Sequence, residues 1–311
     1  MAPHVLPVPS VARPLVPVDP YSNREAYARV LSMLCHAEAA ALEGFKLLTH
    51  PDFVQTHAMF AKARRFLVQD ESRHLEDLTQ LVRRLGYDDI LPPSPEEAEF
   101  WGAWRSGRLF ALPFKPSVAS LFCLLSEGLG YAFLYNLAQA TSAPDIRAVL
   151  EANLEDEKSH LQLSLVMLER ALVDDRTFLA DFLIYLYGYS LLARRPIRQQ
   201  RKTVEAIGLD FYVIFGSSIR FVFDLLKLVL AETGRYSPLW SVLDKFTLGL
   251  GRAPKLMKLL HLFMFLPEPP FSRWLVYHWG RLTLRLGPMG RSSPPWERPL
   301  PVPSLADLVQ A

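Results

Sequence analysis

Asp70-Glu71-Ser72-Arg73-His74 and Asp156-Glu157-Lys158-Ser159-His160 are near copies of one another. In each, a carboxylate and an imidazole stand three residues apart. On a helix that spacing puts both on one face, about one turn apart. With 17 Glu and 8 His in 311 residues, chance supplies roughly 0.4 Glu-x-x-His matches, so one copy alone reads best as a solvated helix face. Two copies, each preceded by Asp, constrain the chain much more. They ask for two helices whose polar pairs face one another, and for a scaffold that supplies the remaining partners.

The sequence around them is helical throughout, with no alternating strand pattern of any length. Ser22-Asn23-Arg24-Glu25 reads as a capping box. The stretch to about Leu48 follows a helical stripe of Leu31, Leu34, Cys35, Glu38, Leu42 and Phe45. Glu38 sits in the middle of that stripe, whereas Glu43 is five residues on and belongs to another face. Pro51-Asp52 starts a second helix that runs to about Gly86 with Leu67, Glu71, His74, Leu75 and Leu78 inward. Residues 87–115 form a long connection with Pro92, Pro93, Pro95 and Pro113, in which Ser94-Pro95-Glu96-Glu97 caps a short helix. A third helix spans Pro116 to about Ala140, with Cys123 or Leu124, Glu127, Tyr131 and Leu134 inward. After Thr141-Ser142-Ala143-Pro144, a fourth runs to about Leu172 with Leu150, Leu154, Glu157, His160, Leu161, Ser164 and Leu168 inward.

Residues at equal height in an antiparallel hairpin lie equally far from its turn. The midpoint of Glu127 and Glu157 is residue 142, inside the Thr-Ser-Ala-Pro turn. The midpoint of Glu38 and Glu71 falls between residues 54 and 55, a few residues past Pro51. Each hairpin therefore brings one Glu beside one Glu-x-x-His pair. A lone Glu in a core is costly unless it is paired or bound to a metal. Four carboxylates facing each other repel and raise one another's pKa values, and two cations neutralise them. Oxygen and imidazole donors without thiolates suit iron or manganese.

This pattern resembles the ferritin-like di-iron carboxylate superfamily, in which two helices each give a Glu and two give Glu-x-x-His. The resemblance covers about residues 22–172, and the 87–115 connection corresponds to the crossover of that fold. It implies an all-α, ferritin-like four-helix bundle with a long crossover, followed by additional C-terminal helices. Glu38, Glu71, His74, Glu127, Glu157 and His160 match the six metal-ligand positions, with Glu71 and Glu157 as the bridging carboxylates. Asp70-Glu71-Ser72-Arg73-His74 is also similar to the Asp-Glu-x-Arg-His motif of bacterial di-iron monooxygenases and acyl-carrier-protein desaturases. There the Asp partners the outer nitrogen of a ligating His. Asp70 and Asp156 are accordingly expected to take one His each, the alternative being exposed charges. The second motif departs from the pattern, with Ser159 where Arg is usual. The implied cofactors are two Fe ions, or a mixed Mn/Fe pair, with dioxygen as co-substrate.

The remaining candidates are less constrained. Tyr131, one turn after Glu127, either faces the metals or is a plain core tyrosine. Cys35 and Cys123 read as small buried residues, and His36, His50 and His57 lack partners at ligand spacing. Two cysteines make neither a disulfide framework nor a four-thiolate site. The start of the chain lacks the pattern of a signal peptide, and no stretch reaches the roughly 20 uncharged apolar residues of a membrane span. A cytoplasmic location is expected, with peripheral attachment to a membrane left open.

Organisation is expected as a Pro-rich tail (1–21), the bundle (22–172), a helical extension (173–290) and a second Pro-rich tail (291–311). Charge follows that division: residues 1–172 carry a net −5 and residues 173–311 a net +7. Helices are expected near 174–193, 203–232, 239–262 and 271–286, with Gly208, Gly216 and Gly251 as points of bending. The extension is rich in aromatic residues, which read as a packed core or as the wall of a pocket for an apolar substrate. Arg194, Arg195, Arg198, Arg201 and Lys202 form a basic cluster that is either solvated or a site for a carrier protein, anionic lipid or RNA. The expected function is a non-haem di-iron, oxygen-activating oxidoreductase acting on a small, apolar or carrier-linked organic substrate. It would draw electrons from an external donor or reductase, and a homodimer is compatible with it. The competing readings are a ferroxidase or iron-binding protein, and a non-enzymatic helical interaction protein.

Overall fold

The computed structural model describes residues 5–47, 58–98, 101, 116–173, 178, 182, 196–236, 238–252 and 255. Among them every regular element is a helix, and the one β-bridge is isolated. We number the longer helices α1 (Arg24–Leu47), α2 (Ala58–Arg84), α3 (Pro116–Ala140), α4 (Pro144–Leu172), α5 (residues 196–206), α6 (Phe211–Glu232) and α7 (Pro238–Arg252). Residues 95–98 are also helical, as are Trp101, Phe178, Phe182 and Lys255. The expected start of α2 at Pro51, the helix near 271–286, most of that near 174–193 and both chain ends beyond 5 and 255 fall outside the described residues.

Local chemistry explains most of the boundaries. Asn23, rather than Ser22, caps α1: its Oδ1 accepts from the Ala26 N–H at 3.3 Å, while the Ser22 hydroxyl turns back to the Asp19 carbonyl at 2.8 Å. The expected box at Ser22 fails because Glu25 is drawn to Arg29 one turn on, at 2.9 Å. At Ser94 the box does form, with Ser94 Oγ accepting from the Glu97 N–H at 3.2 Å and Glu97 Oε2 from the Ser94 N–H at 2.9 Å. The expected single helix over 203–232 is two. Gly208 adopts φ +86°, which ends α5, and Asp210 then caps α6 by accepting from the N–H groups of Tyr212 and Val213 at 2.9 and 3.3 Å.

The helices pack as two hairpins, α1 with α2 and α3 with α4, joined where α2 meets α4. The interface is apolar, with Leu31, Leu78, Leu121, Leu124, Leu137, Leu150, Leu161 and Leu168 all almost fully buried. The N-terminal segment is a strap across the α3–α4 turn. Val18 N–H donates to the Ala140 carbonyl at 2.7 Å, and Ser142 N–H donates to the Val18 carbonyl at 2.8 Å. The Tyr27 and Thr141 hydroxyls pair at 2.6 Å beneath it, and the Tyr21 hydroxyl donates to Asp145 Oδ2 at 2.7 Å.

α6 lies across α3 and α4, with α7 packed on α6. The approach to α3 is close enough to require glycine at 128, where a Cβ would stand 2.8 Å from Val222 Cγ2. Phe178, Phe182, Phe223 and Trp240 cluster in this extension, Phe178 stacked on Trp240 and Phe182 edge-on to Phe223. Arg220 joins α6 to α7 by pairing with both Asp224 and Asp244.

The segment Ser120–Ala140 of α3 is long and apolar enough to cross a membrane by length and composition, and it carries the charged residue Glu127. In this fold 67% of that window is buried. An apolar helix of this kind is what the centre of a bundle requires, since neighbours cover it on several sides.

Candidate metal centre

All six expected ligand residues converge between the hairpins. α1 contributes Glu38, α2 Glu71 and His74, α3 Glu127, and α4 Glu157 and His160. Glu38 keeps 15% of its side chain exposed; the other five are buried. Their donor atoms fall into two groups of four, each with all members within 4.8 Å of one another: Glu38, Glu71, His74 and Glu157, and Glu71, Glu127, Glu157 and His160. Glu71 and Glu157 belong to both. His74 Nδ1 lies 3.2 Å from Glu157 Oε1 and 4.0 Å from oxygens of Glu38 and Glu71. His160 Nδ1 lies 3.2 Å from Glu71 Oε1, 3.4 Å from Glu157 Oε2 and 3.5 Å from Glu127 Oε2.

The outer nitrogens show a crossed arrangement. His74 Nε2 meets Asp156 Oδ2 at 3.3 Å, and His160 Nε2 meets Asp70 Oδ2 at 3.3 Å. Each Asp thus serves the imidazole of the other motif. Arg73 closes the pair, donating to Asp70 Oδ1 at 3.0 Å and to Asp156 Oδ2 at 2.5 Å. A single guanidinium therefore reaches both aspartates, which accounts for Ser159 in place of a second Arg. With Nε2–H held by a carboxylate, the lone pair of Nδ1 is left for the interior.

Hydrogen bonding within the protein does not satisfy that interior. Both oxygens of Glu71 and the Nδ1 atoms of His74 and His160 are buried without a hydrogen-bond partner. The nitrogens are close to the carboxylates but not aligned to bond them, as expected of groups arranged around shared points. Leaving such atoms unpaired costs about 1–3 kcal/mol each, and cations at the two points would satisfy all of them. Four carboxylates with two imidazoles fit two divalent oxygen- and nitrogen-seeking ions.

Without cations the cluster must hold protons. Burial, then the neighbouring Glu38 charge, pushes Glu71 well above the usual carboxylate range. Burial raises Glu38 as well. Burial and the Glu157 charge push Glu127 up to about 8. Glu157 goes the other way: burial acts to raise it, but the imidazoles of His160 and His74 outweigh burial and hold it low. Burial acts to lower both histidines, yet Glu157 raises His74, and Glu127, Glu157 and Glu71 raise His160.

Other candidates lie elsewhere. Tyr131 is buried and stacks on Phe221 at 5.3 Å; burial raises its hydroxyl, and the charges acting on it are those of Lys158 and Glu155 rather than the cluster. Cys35 is buried and its thiol is pushed up to about 12 by burial; Cys123 is buried and raised for the same reason. His36 Nε2 bonds the Leu91 carbonyl at 2.9 Å, and His50 and His57 lie outside the described residues. Of the basic cluster, Arg198 and Lys202 are exposed, and Arg201 pairs with Glu205 at 2.9 Å over the Tyr212 ring; Arg194 and Arg195 lie outside the described residues.

No protein-family model, curated protein or solved structure matches this chain. The chemistry of the site thus rests on its geometry. One residue absent from the expected inner stripe belongs there: Asn153, four residues before Glu157 and 1% exposed. Its spacing from Glu157 was the available signal.

The crossed aspartates make a specific expectation. Asp70→Asn and Asp156→Asn should each weaken metal binding by about 10–100-fold, the usual cost of removing the outer partner of a ligating His. The two losses should match, because each Asp serves one imidazole. Competition with a coloured chelator measures both. Unchanged affinity in either variant would show that the aspartates do not set the imidazoles.

Proposed function

We propose that this chain is a ferritin-like di-iron protein that uses dioxygen to oxidise a small organic substrate. The observation that carries the reading is the pair of four-residue groups sharing Glu71 and Glu157. Two ions bridged by those carboxylates would each also receive one outer Glu and one His. When bound in the ferrous state, such a pair supplies the electrons and open positions that dioxygen activation needs. A mixed Mn/Fe pair fits the same donors.

The residues prepare the site in three ways. The four glutamates balance the charge of two divalent ions. Asp70 and Asp156 fix the inward lone pairs of His160 and His74. The surrounding leucines exclude bulk water, so charges inside act at low dielectric.

Helix direction supports the ferritin-like topology. α1 begins beside the end of α3, where Tyr27 meets Thr141, and α4 begins there too, where Asp145 meets Tyr21. Arg84, at the end of α2, acts electrostatically on both Tyr21 and Asp145, so α2 also ends there. α2 and α3 then run the same way, so the end of α2 and the start of α3 lie at opposite ends of the bundle. That separation is about 37 Å for the 25 residues of α3. The aromatic extension packed over α3 supports an enzyme over a storage protein, as material for a substrate wall. Electrons would come from a separate donor.

The test is to load the protein with ferrous iron without oxygen, count ions per chain, then admit oxygen with reductant and a panel of small aromatic and acyl substrates. About two ions per chain and substrate oxidation coupled to oxygen uptake are expected. Two ions with oxygen uptake that oxidises iron alone would establish a ferroxidase instead. Less than one ion per chain would defeat any dimetal reading.

A further inference from the structure

Asn153 is a polar side chain buried with nothing to bond. It is 1% exposed, and neither its Oδ1 nor its Nδ2 has a hydrogen-bond partner. An amide in that state costs about 1–3 kcal/mol, and leucine would fill a similar volume without the cost. Its position is specific. Around α4, residue 153 lies about 40° from Glu157 and about 20° from His160, so it sits on the ligand face. Along the axis it is about 6 Å from Glu157, towards the turn between α3 and α4. On the other side of Glu157 the same face is apolar: Leu154 and Leu161, about 60° and 40° from it, are buried and satisfied by packing.

Among the described residues, the other orphaned buried atoms are Ser120 Oγ, near the start of α3, and those of Glu71, His74 and His160, which cations would satisfy. Asn153 is one turn away and cannot be explained by the same two ions together with four glutamates and two histidines. Its two atoms need a partner that accepts from Nδ2 and donates to Oδ1. Water does both, and so does a protonated small anion.

We infer that Asn153 binds the small exchangeable ligand of the metal pair, a water or a small anion, on the side of the centre facing the α3–α4 turn. The inference rests on the dimetal reading above. Asn153 is then a residue that selects and orients what occupies that side, with Nδ2–H directed to an anionic ligand and Oδ1 to a protonated one.

Azide, a small anion whose charge-transfer absorption reports coordination to ferric ions, is the probe. In the oxidised, iron-loaded protein, Asn153→Leu should weaken azide binding about tenfold or more, the value of one buried hydrogen bond to a charged group. Iron content should stay at the wild-type level. The metal-free Asn153→Leu protein should melt no lower than wild type, because the unpaired amide is gone. Asn153→Ser, which keeps a short donor, should fall between the two in azide affinity, and it answers alone if the leucine variant does not fold. Wild-type azide affinity in iron-loaded variants would overturn the inference and leave the dimetal reading intact. A wild-type protein that takes up no iron would instead overturn the dimetal reading itself.

Discussion

Glu157→Ala and Glu71→Ala are each expected to abolish loading of both metal ions, whereas Glu38→Ala and Glu127→Ala are each expected to cost one. The asymmetry follows from membership: Glu71 and Glu157 stand in both four-residue groups, and Glu38 and Glu127 in one each. Removing a shared carboxylate takes one donor and one bridging charge from both positions at once. The loss should exceed the roughly 10–100-fold caused by removing an outer partner of a His ligand. Glu71→Gln separates binding from folding most cleanly. Its carboxyl is pushed well above the usual range by burial and Glu38, which favours the protonated form that glutamine copies. The metal-free variant should therefore melt like wild type yet gain no stability from metal. Glu157→Gln should differ. Glu157 is the ionised partner of two raised imidazoles, and removing its charge leaves buried positive groups uncompensated, at a cost of about 3–5 kcal/mol. Metal analysis of the purified variants, with thermal melts of the metal-free forms, reads both effects. Equal, partial losses across all four glutamates would mean that no carboxylate is shared.

Much of this centre is legible in the sequence because helical spacing is rigid. A three-residue step from Glu to His puts both on one face whatever the rest of the chain does, and a midpoint at residue 142 registers Glu127 with Glu157 across a short turn. Glu38 could be separated from Glu43 by the same angular argument. What the spacing leaves open depends on contacts between helices. That Asp70 serves His160 and Asp156 serves His74 is a fact about two helices side by side. So is the reach of Arg73 to both aspartates, which makes an arginine at 159 unnecessary. Tyr131 shares the stripe of Glu127, yet the packing of α6 on α3 turns it to Phe221. The docking of α6 itself is encoded in Gly128, whose role appears only when Val222 is placed against it. Local competition explains smaller differences, with Asn23 taking the cap beside Ser22 and Gly208 dividing an otherwise periodic run. Asn153 gains its meaning from its burial without a partner, which depends on the helices packed around it.

Metal is expected to stabilise the protein more strongly as pH rises from about 5 to about 8. In the metal-free fold Glu127 keeps its proton up to about 8, and Glu38 and Glu71 are raised as well. An unfolded chain loses such protons near about pH 4.3. Across that window the metal-free native state binds more protons than the unfolded state, so its stability falls with rising pH. His74 and His160 act in the same direction, because their raised values keep them protonated above the unfolded range near about 6.5. Glu157 does not offset this: its value is lowered, so its contribution is complete above the unfolded carboxylate range and is lost only in stronger acid. The loaded protein behaves oppositely, since metal requires ionised carboxylates and free Nδ1 lone pairs and must displace each proton it meets. Affinity should then rise by about tenfold per pH unit for each proton released. Melting temperatures with and without a redox-inert divalent ion should diverge progressively across the window. Glu127→Gln should bind the ion more weakly and lower that slope by one proton, which calorimetry in buffers of different ionisation heat would count. A melting difference that is the same at pH 5 and pH 8 would mean that the ion displaces no protons, and that the cluster is not where it binds.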